Sequence, residues 1–381
     1  MSSKESRRRS NRRSNRKQKQ YIFLKRQSFS STTTSSVVTD DESNGSSSSD
    51  DDQHYKYRRG EYIKEYKVKR HIFDGTFGRV LKVKRRNSKT YAMKVVRHNH
   101  VESAQSEADV LFHLKKKGLG RSFVELYECF HHRGYYCMIF ERLGPSLYEL
   151  MKFHKNQGLP MTLIRSISKQ LLKFIGQLHD LKIVHTDLKP ENILFSKNYK
   201  FKKGQNDLYL PQDERIKIID LGGAVFDHEG HDCIINTRQY RAPEVQLQCC
   251  EWDHKSDVWG IACIIAEMYL GQLLFQTRKN EYEHMALVEK ITDQNFPYWM
   301  ASNARGSLKQ QFTRSSTNGK YYIWPQENTT KESIAKVENQ KPLRELILDP
   351  LLRDLLQKML EISPEKRISC HEALHHKFFR H

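Results

Sequence analysis

One stretch of eight residues, His185-Thr186-Asp187-Leu188-Lys189-Pro190-Glu191-Asn192, sets a carboxylate, an ammonium and an amide at fixed offsets: Asp187, Lys189 and Asn192. Downstream, Asp220-Leu221-Gly222 supplies a second carboxylate. These groups suit phosphoryl transfer, which asks a protein for alignment and charge neutralisation rather than covalent help. Asp187 would accept or orient the proton of an attacking hydroxyl. Lys189 would neutralise the transferring group. Asn192 and Asp220 offer the hard oxygen ligands that magnesium prefers. Taken singly, an Asp or Asn is most often a turn residue; the joint spacing argues for chemistry.

A second constellation lies upstream. Ile72-Phe73-Asp74-Gly75-Thr76-Phe77-Gly78-Arg79-Val80 sits between two expected strands and follows the phosphate-loop pattern G-x-G-x-x-G-x-V, with Phe73 at the first glycine position. Gly75 would let backbone approach a phosphate, and Gly78 would permit the return. A Gly-x-x-Gly turn alone also fits an ordinary hairpin. The strand that follows ends in Tyr91-Ala92-Met93-Lys94, which fits the V-A-I-K element. Lys94 would hold the α- and β-phosphates of ATP, steadied by Glu107 on the next helix. Glu102, nearer that helix's start, suits a dipole partner. Ile72, Val80 and Ala92 would cover an adenine from above and Leu194 from below. Backbone groups of Glu141 and Leu143, in Phe140-Glu141-Arg142-Leu143, would bond its edge. These apolar residues also serve as plain core. Together the motifs resemble those of protein kinases.

Elements that could position these groups are legible. Residues 68–73, 78–84, 90–96 and 135–140 read as strands, rich in β-branched and aromatic residues. Residues 103–115 read as a helix with Ala104, Ala108, Leu111 and Leu114 at helical spacing. From 147 onward helices dominate, at 163–181, 256–270, 284–291, 350–360 and 371–374. The expected class is α+β: a bilobal protein-kinase fold with a small β-rich N-lobe (66–143) and a large helical C-lobe (144–379). Residues 196–215 and about 300–340 read as polar insertions. Glu244, in Ala242-Pro243-Glu244, is expected to pair with Arg367, because a buried carboxylate needs a bidentate partner. Asp257 is expected to cap the backbone of the 185–192 stretch.

Hydrophobic residues make up 37% of the 381, enough for a real core. No apolar run approaches the ~20 residues that span a bilayer, and no signal-peptide core develops, so a soluble, intracellular chain is expected. Seven cysteines without metal or disulfide spacing are read as reduced. The formal charge is +20, of which the first 59 residues carry +7. Such basicity fits acidic partners or a nuclear address, and equally fits mere solubility. Residues 1–59 are expected to be a disordered tail, poor in aliphatics. It holds an Arg/Ser block at 6–16, a Ser/Thr-rich stretch and the acidic run Asp50-Asp51-Asp52. The block reads as a nuclear signal, a mimic of Arg/Ser-rich partners, or a solvated tail. Its lack of interleaved aromatics disfavours direct nucleic-acid binding.

One branch of the kinases fits best. Glu283-His284-Met285-Ala286-Leu287-Val288-Glu289-Lys290-Ile291 resembles the EHLAMMERI signature of the LAMMER, or CDC-like, dual-specificity kinases of the CMGC group. Thr186 in His-Thr-Asp and the run 237–245 are similar to that family's TRHYRAPEV pattern and its usual residue before the catalytic Asp. The 196–215 stretch falls where the family inserts a hairpin. The resemblance covers 66–379. It implies Ser/Thr phosphorylation of Arg/Ser-rich splicing-type proteins with tyrosine autophosphorylation, using ATP and Mg2+. Glu191 lies where basophilic kinases often meet a substrate arginine. A monomer with a nuclear address, and the cytoplasm as a second one, is the matching expectation. Thr186 replaces the arginine that often pairs with an activation-loop phosphate, so activity independent of that phosphate is expected. Phe73 and Leu221, the latter in the usual Phe position, keep a second reading open: a catalytically weak pseudokinase acting as a scaffold.

Overall fold

The computed structural model describes residues 54–380, except 87–88, 155–156, 198–200, 204–208, 227–228, 230, 232–233, 278–279, 310, 315–318 and 320. The Arg/Ser block, the Ser/Thr-rich stretch and the acidic run lie outside the described residues.

The first lobe is one antiparallel sheet and a helix. Strands β1 (Tyr62–Ile63), β2 (Tyr66–Gly75), β3 (Gly78–Arg85) and β4 (Thr90–Val96) are followed by helix α1 (Val101–Lys116), β5 (Leu126–His132) and β6 (Tyr135–Glu141). The sheet order is β1-β2-β3-β4-β6-β5. Side chains alternate across it. Val68, Leu81, Val83, Met93, Val95 and Ile139 form a buried cluster on one face. Val96, Met138 and Phe140 join the main core. Helix α1 buries Ala104, Ala108, Leu111 and Leu114, and with them Glu107. A carboxylate among apolar neighbours must find a cation, and the site below supplies one.

The tail is shorter than the sequence suggests. His54 and Tyr55 are buried, and Tyr55 belongs to the apolar cluster of the sheet. Lys56, Arg58 and Arg59 give the segment a tail-like charge, which masks the two aromatic anchors Tyr55 and Tyr57. The boundary expected at residue 59 therefore falls at or before 54.

The second lobe is helical. It comprises α2 (Leu147–Phe153), α3 (Met161–Asp180), β7 (Ile183–Val184), β8 (Ile193–Phe195), β9 (Lys202–Lys203), β10 (Tyr209–Leu210), β11 (Ile216–Ile218), β12 (Val225–Phe226), α4 (Pro243–Leu247), α5 (Lys255–Leu270) and α6 (Glu281–Thr292). After α7 (Tyr298–Asn303), strands β13 (Thr313–Arg314) and β14 (Tyr321–Tyr322) precede α8 (Lys331–Glu338), α9 (Leu343–Leu346), α10 (Pro350–Met359) and α11 (Cys370–Leu374). Helix α3 turns Leu163, Ile167, Leu171, Ile175 and Leu178 inward at helical spacing. Helix α5 is apolar on nearly every side and is buried from Ser256 to Met268, as the central helix of a core must be. The polar stretch at 196–215 contains the β9–β10 hairpin, and about 300–340 contains α7, β13–β14 and α8.

Two short ladders do the positioning. Strand β8 pairs with β11 (Ile193 opposite Ile218), and β7 pairs with β12 (Val184 opposite Val225). They pin both ends of 185–192 against both ends of 219–224. Cys129, Cys137, Cys249, Cys250, Cys263 and Cys370 are free thiols, and Cys233 lies outside the described residues. No helix among the described residues is long and apolar enough to cross a membrane.

Candidate active site

Sheet pairing brings Lys94 on β4 opposite Met138 on β6, facing α1. Its Nζ lies 2.7 Å from Glu107 Oε2, and both side chains are largely withdrawn from water. Burial alone would push the Lys94 ammonium down. The carboxylates of Glu107 and Asp220 outweigh that and hold it above its ordinary range. Burial pushes Glu107 up, against the pull of Lys94, and it also accepts the backbone N–H of Leu221. Leu221 itself is buried. The substitution at that position thus keeps both the packing beneath α1 and the bond to Glu107.

Asp220 follows β11 with φ +63°, a left-handed conformation uncommon outside glycine that Asp adopts more readily than most residues. Its Oδ1 is buried and has no hydrogen-bond partner among the described residues. A Cβ placed on Gly222 would lie 3.5 Å from that oxygen and 3.8 Å from Glu107 Oε2, which sets the two carboxylates side by side. Asn192 ends the short turn 190–192 and donates its amide to the Asp187 carbonyl at 2.9 Å, leaving its side-chain oxygen as a ligand. An orphaned buried carboxylate oxygen and an amide oxygen form a donor set that fits a hard divalent cation.

Asp187 is held from both sides. Its Oδ2 accepts from Lys189 Nζ at 2.7 Å, and its Oδ1 accepts from the Thr237 N–H at 3.0 Å and Thr237 Oγ1 at 2.8 Å. Lys189 Nζ also reaches Thr237 Oγ1 at 3.2 Å. Burial would raise the Asp187 carboxyl, but Lys189 and Thr237 hold it below its ordinary range. Lys189 is kept above its range, despite burial, by Asp187 and then Asp220 and Glu191. Thr237 went unnoticed as a partner in the sequence, where it reads only as part of Thr-Arg-Gln-Tyr. Its hydroxyl lies fifty residues from Asp187 and is brought in by the fold.

The stretch rests on Asp257, fully buried in the first turn of α5. It accepts from His185 N (2.8 Å), Thr186 N (3.1 Å) and His179 Nε2 (3.0 Å). Thr186 has φ +73°, strained for a β-branched residue. Its Oγ1 donates to Gly223 O at 2.8 Å, and its carbonyl accepts from Asn236 N at 2.9 Å. Thus where an arginine would await a phosphate, a hydroxyl already ties the catalytic stretch to the segment after Asp220. Glu244 and Arg367, each wholly buried, form a two-pronged pair at 2.7 and 2.8 Å. Arg367 also donates to the carbonyls of Glu361, Lys255 and Ile362 and stacks 5.1 Å from Trp259.

The phosphate loop is the turn from β2 to β3, with Gly75 opposite Gly78 and Asp74 opposite Arg79. A Cβ on Gly78 would stand 2.2 Å from Val95 O, so glycine is obligatory there. The Asp74 carboxylate takes two bonds from Arg79, at 2.8 and 2.9 Å, which commits both side chains to each other; these positions offer a phosphate their backbone. Phe77 at the tip lies 5.4 Å from Lys94 Nζ. The ring of Phe73 is 62% exposed and lies over Gly75. Ile72, Thr76 and Val80 lie on or beside this turn, Ala92 is two residues before Lys94, and Leu194 lies on β8 two residues after Asn192. At the connection between lobes, Leu143 is buried. Glu141 is fixed by an ion pair with Lys217 and by its side chain accepting from Glu125 N at 2.8 Å. The Glu141 N–H is bonded to Glu125 O, so an adenine edge would meet the Glu141 carbonyl.

Glu267 on α5 is a further group that motif reading missed. It accepts from Tyr240 OH at 2.7 Å. Burial raises its carboxyl, the Tyr240 bond lowers it and the nearby charge of Glu191 raises it again, to about 7. Glu267 therefore stands against Tyr240, three residues past Thr237, and feels the charge of Glu191.

A two-lobed fold with a buried Lys–Glu pair, two converging carboxylates and an amide defines a protein kinase. Residues 66–379 match the protein kinase domain family. The chain is 37% identical to serine/threonine-protein kinase AFC1 of Arabidopsis thaliana, over 82% of this chain and 70% of that one. It is 36% identical to dual specificity protein kinase CLK2 of Homo sapiens, over 86% of this chain and 66% of that one. The crystal structure of the PF14_0431 kinase domain superposes with a TM-score of 0.79 at 36% identity, covering 86% of this chain and 99% of that one. The chain belongs to the LAMMER (CDC-like) branch of the CMGC protein kinases, enzymes of serine/threonine and dual specificity.

Proposed function

We propose that this kinase moves the γ-phosphoryl group of ATP to Ser or Thr hydroxyls in Arg/Ser-rich proteins, with Asp187 orienting the acceptor. The carrying observation is the convergence of Lys94–Glu107, Asp220 and Asp187–Lys189–Asn192 from separate stretches of chain. Lys94, pre-aligned by Glu107, holds the α- and β-phosphates. Asp187, kept ionised, receives the hydroxyl proton, and Lys189 balances the charge that develops on the moving group. Asp220 and Asn192 would hold magnesium, which when bound neutralises phosphate oxygens. Glu191, seconded by Glu267, supports the choice of arginine-bearing substrates, since two acids whose charges reach one another favour a guanidinium. Phe73 through Val80, Ile72, Ala92, Glu141, Leu143 and Leu194 enclose the nucleotide. The Arg/Ser block supports a nuclear address. Leu221, one of the two departures behind the scaffold reading, is buried as an apolar residue in that position should be, which supports the catalytic reading; Phe73 is the other departure, and the transfer assay decides between the two.

The test is transfer of labelled γ-phosphate to an Arg/Ser peptide, to the same peptide with Ala for Arg, and by an Asp187→Asn chain. Transfer that falls at least tenfold without the arginines and vanishes in Asp187→Asn supports the reading. No transfer above the Asp187→Asn control refutes activity, and equal use of both peptides refutes the substrate class.

A further inference from the structure

The segment 54–61 lies before the matched kinase domain, yet it grips the phosphate loop. Tyr55 is its anchor: the ring is buried in the apolar cluster of the sheet and meets Tyr135 edge-on at 5.2 Å. The backbone then runs along β2, with Gly60 N bonded to Val68 O and Val68 N to Glu61 O, each at 2.9 Å. Arg79, the first residue after Gly78, joins segment to loop. Two of its nitrogens take the Asp74 carboxylate on the opposite stem, and Nη1 donates to the Tyr55 carbonyl at 3.1 Å. Tyr57 closes the array. Its ring lies 5.8 Å from the Arg79 guanidinium and stacks on His71 at 6.5 Å and 13°, while His71 Nε2 lies 3.0 Å from Asp74 Oδ1.

The consequence is mechanical. At the 75–78 turn the β3 stem is paired on its far side with β4, from Gly78 opposite Val96, but the β2 stem has β3 as its one sheet neighbour there and opens more readily unless tied. Here both stems are tied to one guanidinium, and the guanidinium is tied to a strap outside the sheet. A loop fixed before nucleotide arrives need not lose that freedom on binding. We propose that Tyr55, Tyr57 and Arg79 are positioning residues for nucleotide, so that affinity for ATP depends on a strap that precedes the kinase domain proper. This inference rests on the ATP-binding reading above.

The full chain carries the test, with Tyr57→Ala, Arg79→Lys and the two combined. Lysine keeps the charge but cannot hold the Asp74 carboxylate and the Tyr55 carbonyl together. Binding of a fluorescent ATP analogue is measured by titration and by release rate, alongside backbone hydrogen exchange over 72–80. Each single change is expected to weaken binding about 3- to 10-fold through faster release and to speed exchange in the loop, and the double change to add less than the sum, because both act on one array. The KM for peptide should move far less than that for ATP. Unaltered release with faster loop exchange overturns the strap, as does weakened binding that tracks a general loss of folded protein in the melting curve. An unmodified chain that binds no analogue removes the parent reading too, and is told apart by its failure before any substitution.

Discussion

Replacing Thr237 with valine removes one hydroxyl and little volume, and it tests whether Asp187 is oriented by the fold or by Lys189 alone. The hydroxyl donates to Asp187 Oδ1 at 2.8 Å and lies 3.2 Å from Lys189 Nζ, so it joins the two charges. A hydrogen bond to an ionised group contributes about 1.5–3 kcal/mol. The Thr237 N–H at 3.0 Å remains, so Asp187 keeps part of its hold. If the bond persists to the transition state, its loss appears in the rate at about 1.36 kcal/mol per tenfold. We expect kcat to fall roughly 10- to 100-fold. Nucleotide affinity should change less than about twofold, because Lys94 and Asp220 are untouched. Asp187 should also lose part of what holds its carboxyl low, so the acid limb of the pH–rate profile moves upward. Thr237→Ser restores the hydroxyl and should restore both. Steady-state kinetics across pH decide the matter. A Thr237→Val chain with the original kcat and an unshifted acid limb would show that the hydroxyl orients nothing.

Between Asp220 and Glu244 the only hydroxyl side chains are Thr237 and Tyr240, one bonded to Asp187 and the other, buried, to Glu267. Phosphatase treatment should therefore leave turnover intact; abolished activity would refute the reading of Thr186. Arg367→Ala strands the Glu244 carboxylate in the core and should lower the unfolding free energy by about 3–5 kcal/mol in urea titration. Joint replacement by Glu244→Met and Arg367→Leu should recover much of that loss, and a double variant as unstable as the single one would contradict it. Glu267 releases its proton near pH 7 rather than the ordinary 4.5. The KM for an Arg-bearing peptide should fall as pH rises from about 6 to 8 and lose that slope in Glu267→Gln. For stability the sign is opposite. Between those two values the folded chain holds a proton that the unfolded chain has released, so the contribution of Glu267 declines as pH rises.

The chemistry was legible because it lives in short stretches. Asp187, Lys189 and Asn192 fall within six residues, and the ladders on either side need only β-branched pairs such as Ile193 and Ile218 to bring Asp220 beside them. Lys94 was readable for a similar reason, as a lone cation inside an apolar strand. What stayed hidden depends on long separations or on backbone. Thr237 and Glu267 carry no local pattern; each acquires its meaning from a partner across the fold. The strap stayed hidden because composition averages over Tyr55 and Tyr57, whereas burial acts on single rings. A window that is poor in aliphatics can still fold when two aromatics find prepared surfaces.

The departures from family pattern follow one physical rule. Thr186 and Leu221 each abandon a side-chain interaction while the backbone around them stays bonded: Thr186 N to Asp257, and Leu221 N to Glu107. Thr186 adds a hydroxyl contact to Gly223 that needs no covalent modification to form. An arginine–phosphate pair can be made and removed, because it depends on a covalent modification. A threonine–carbonyl bond is present whenever the chain is folded. Exchanging one for the other is expected to replace a conditional constraint on the activation segment with one that needs no phosphate, which the phosphatase experiment checks. The strained φ of Thr186 is held by that bond and by the two others its backbone makes, to Asp257 and Asn236. If phosphatase treatment leaves turnover intact, control is expected to act elsewhere than on that segment, and the loop tied through Arg79 to the Tyr55 carbonyl is the place the strap proposal names.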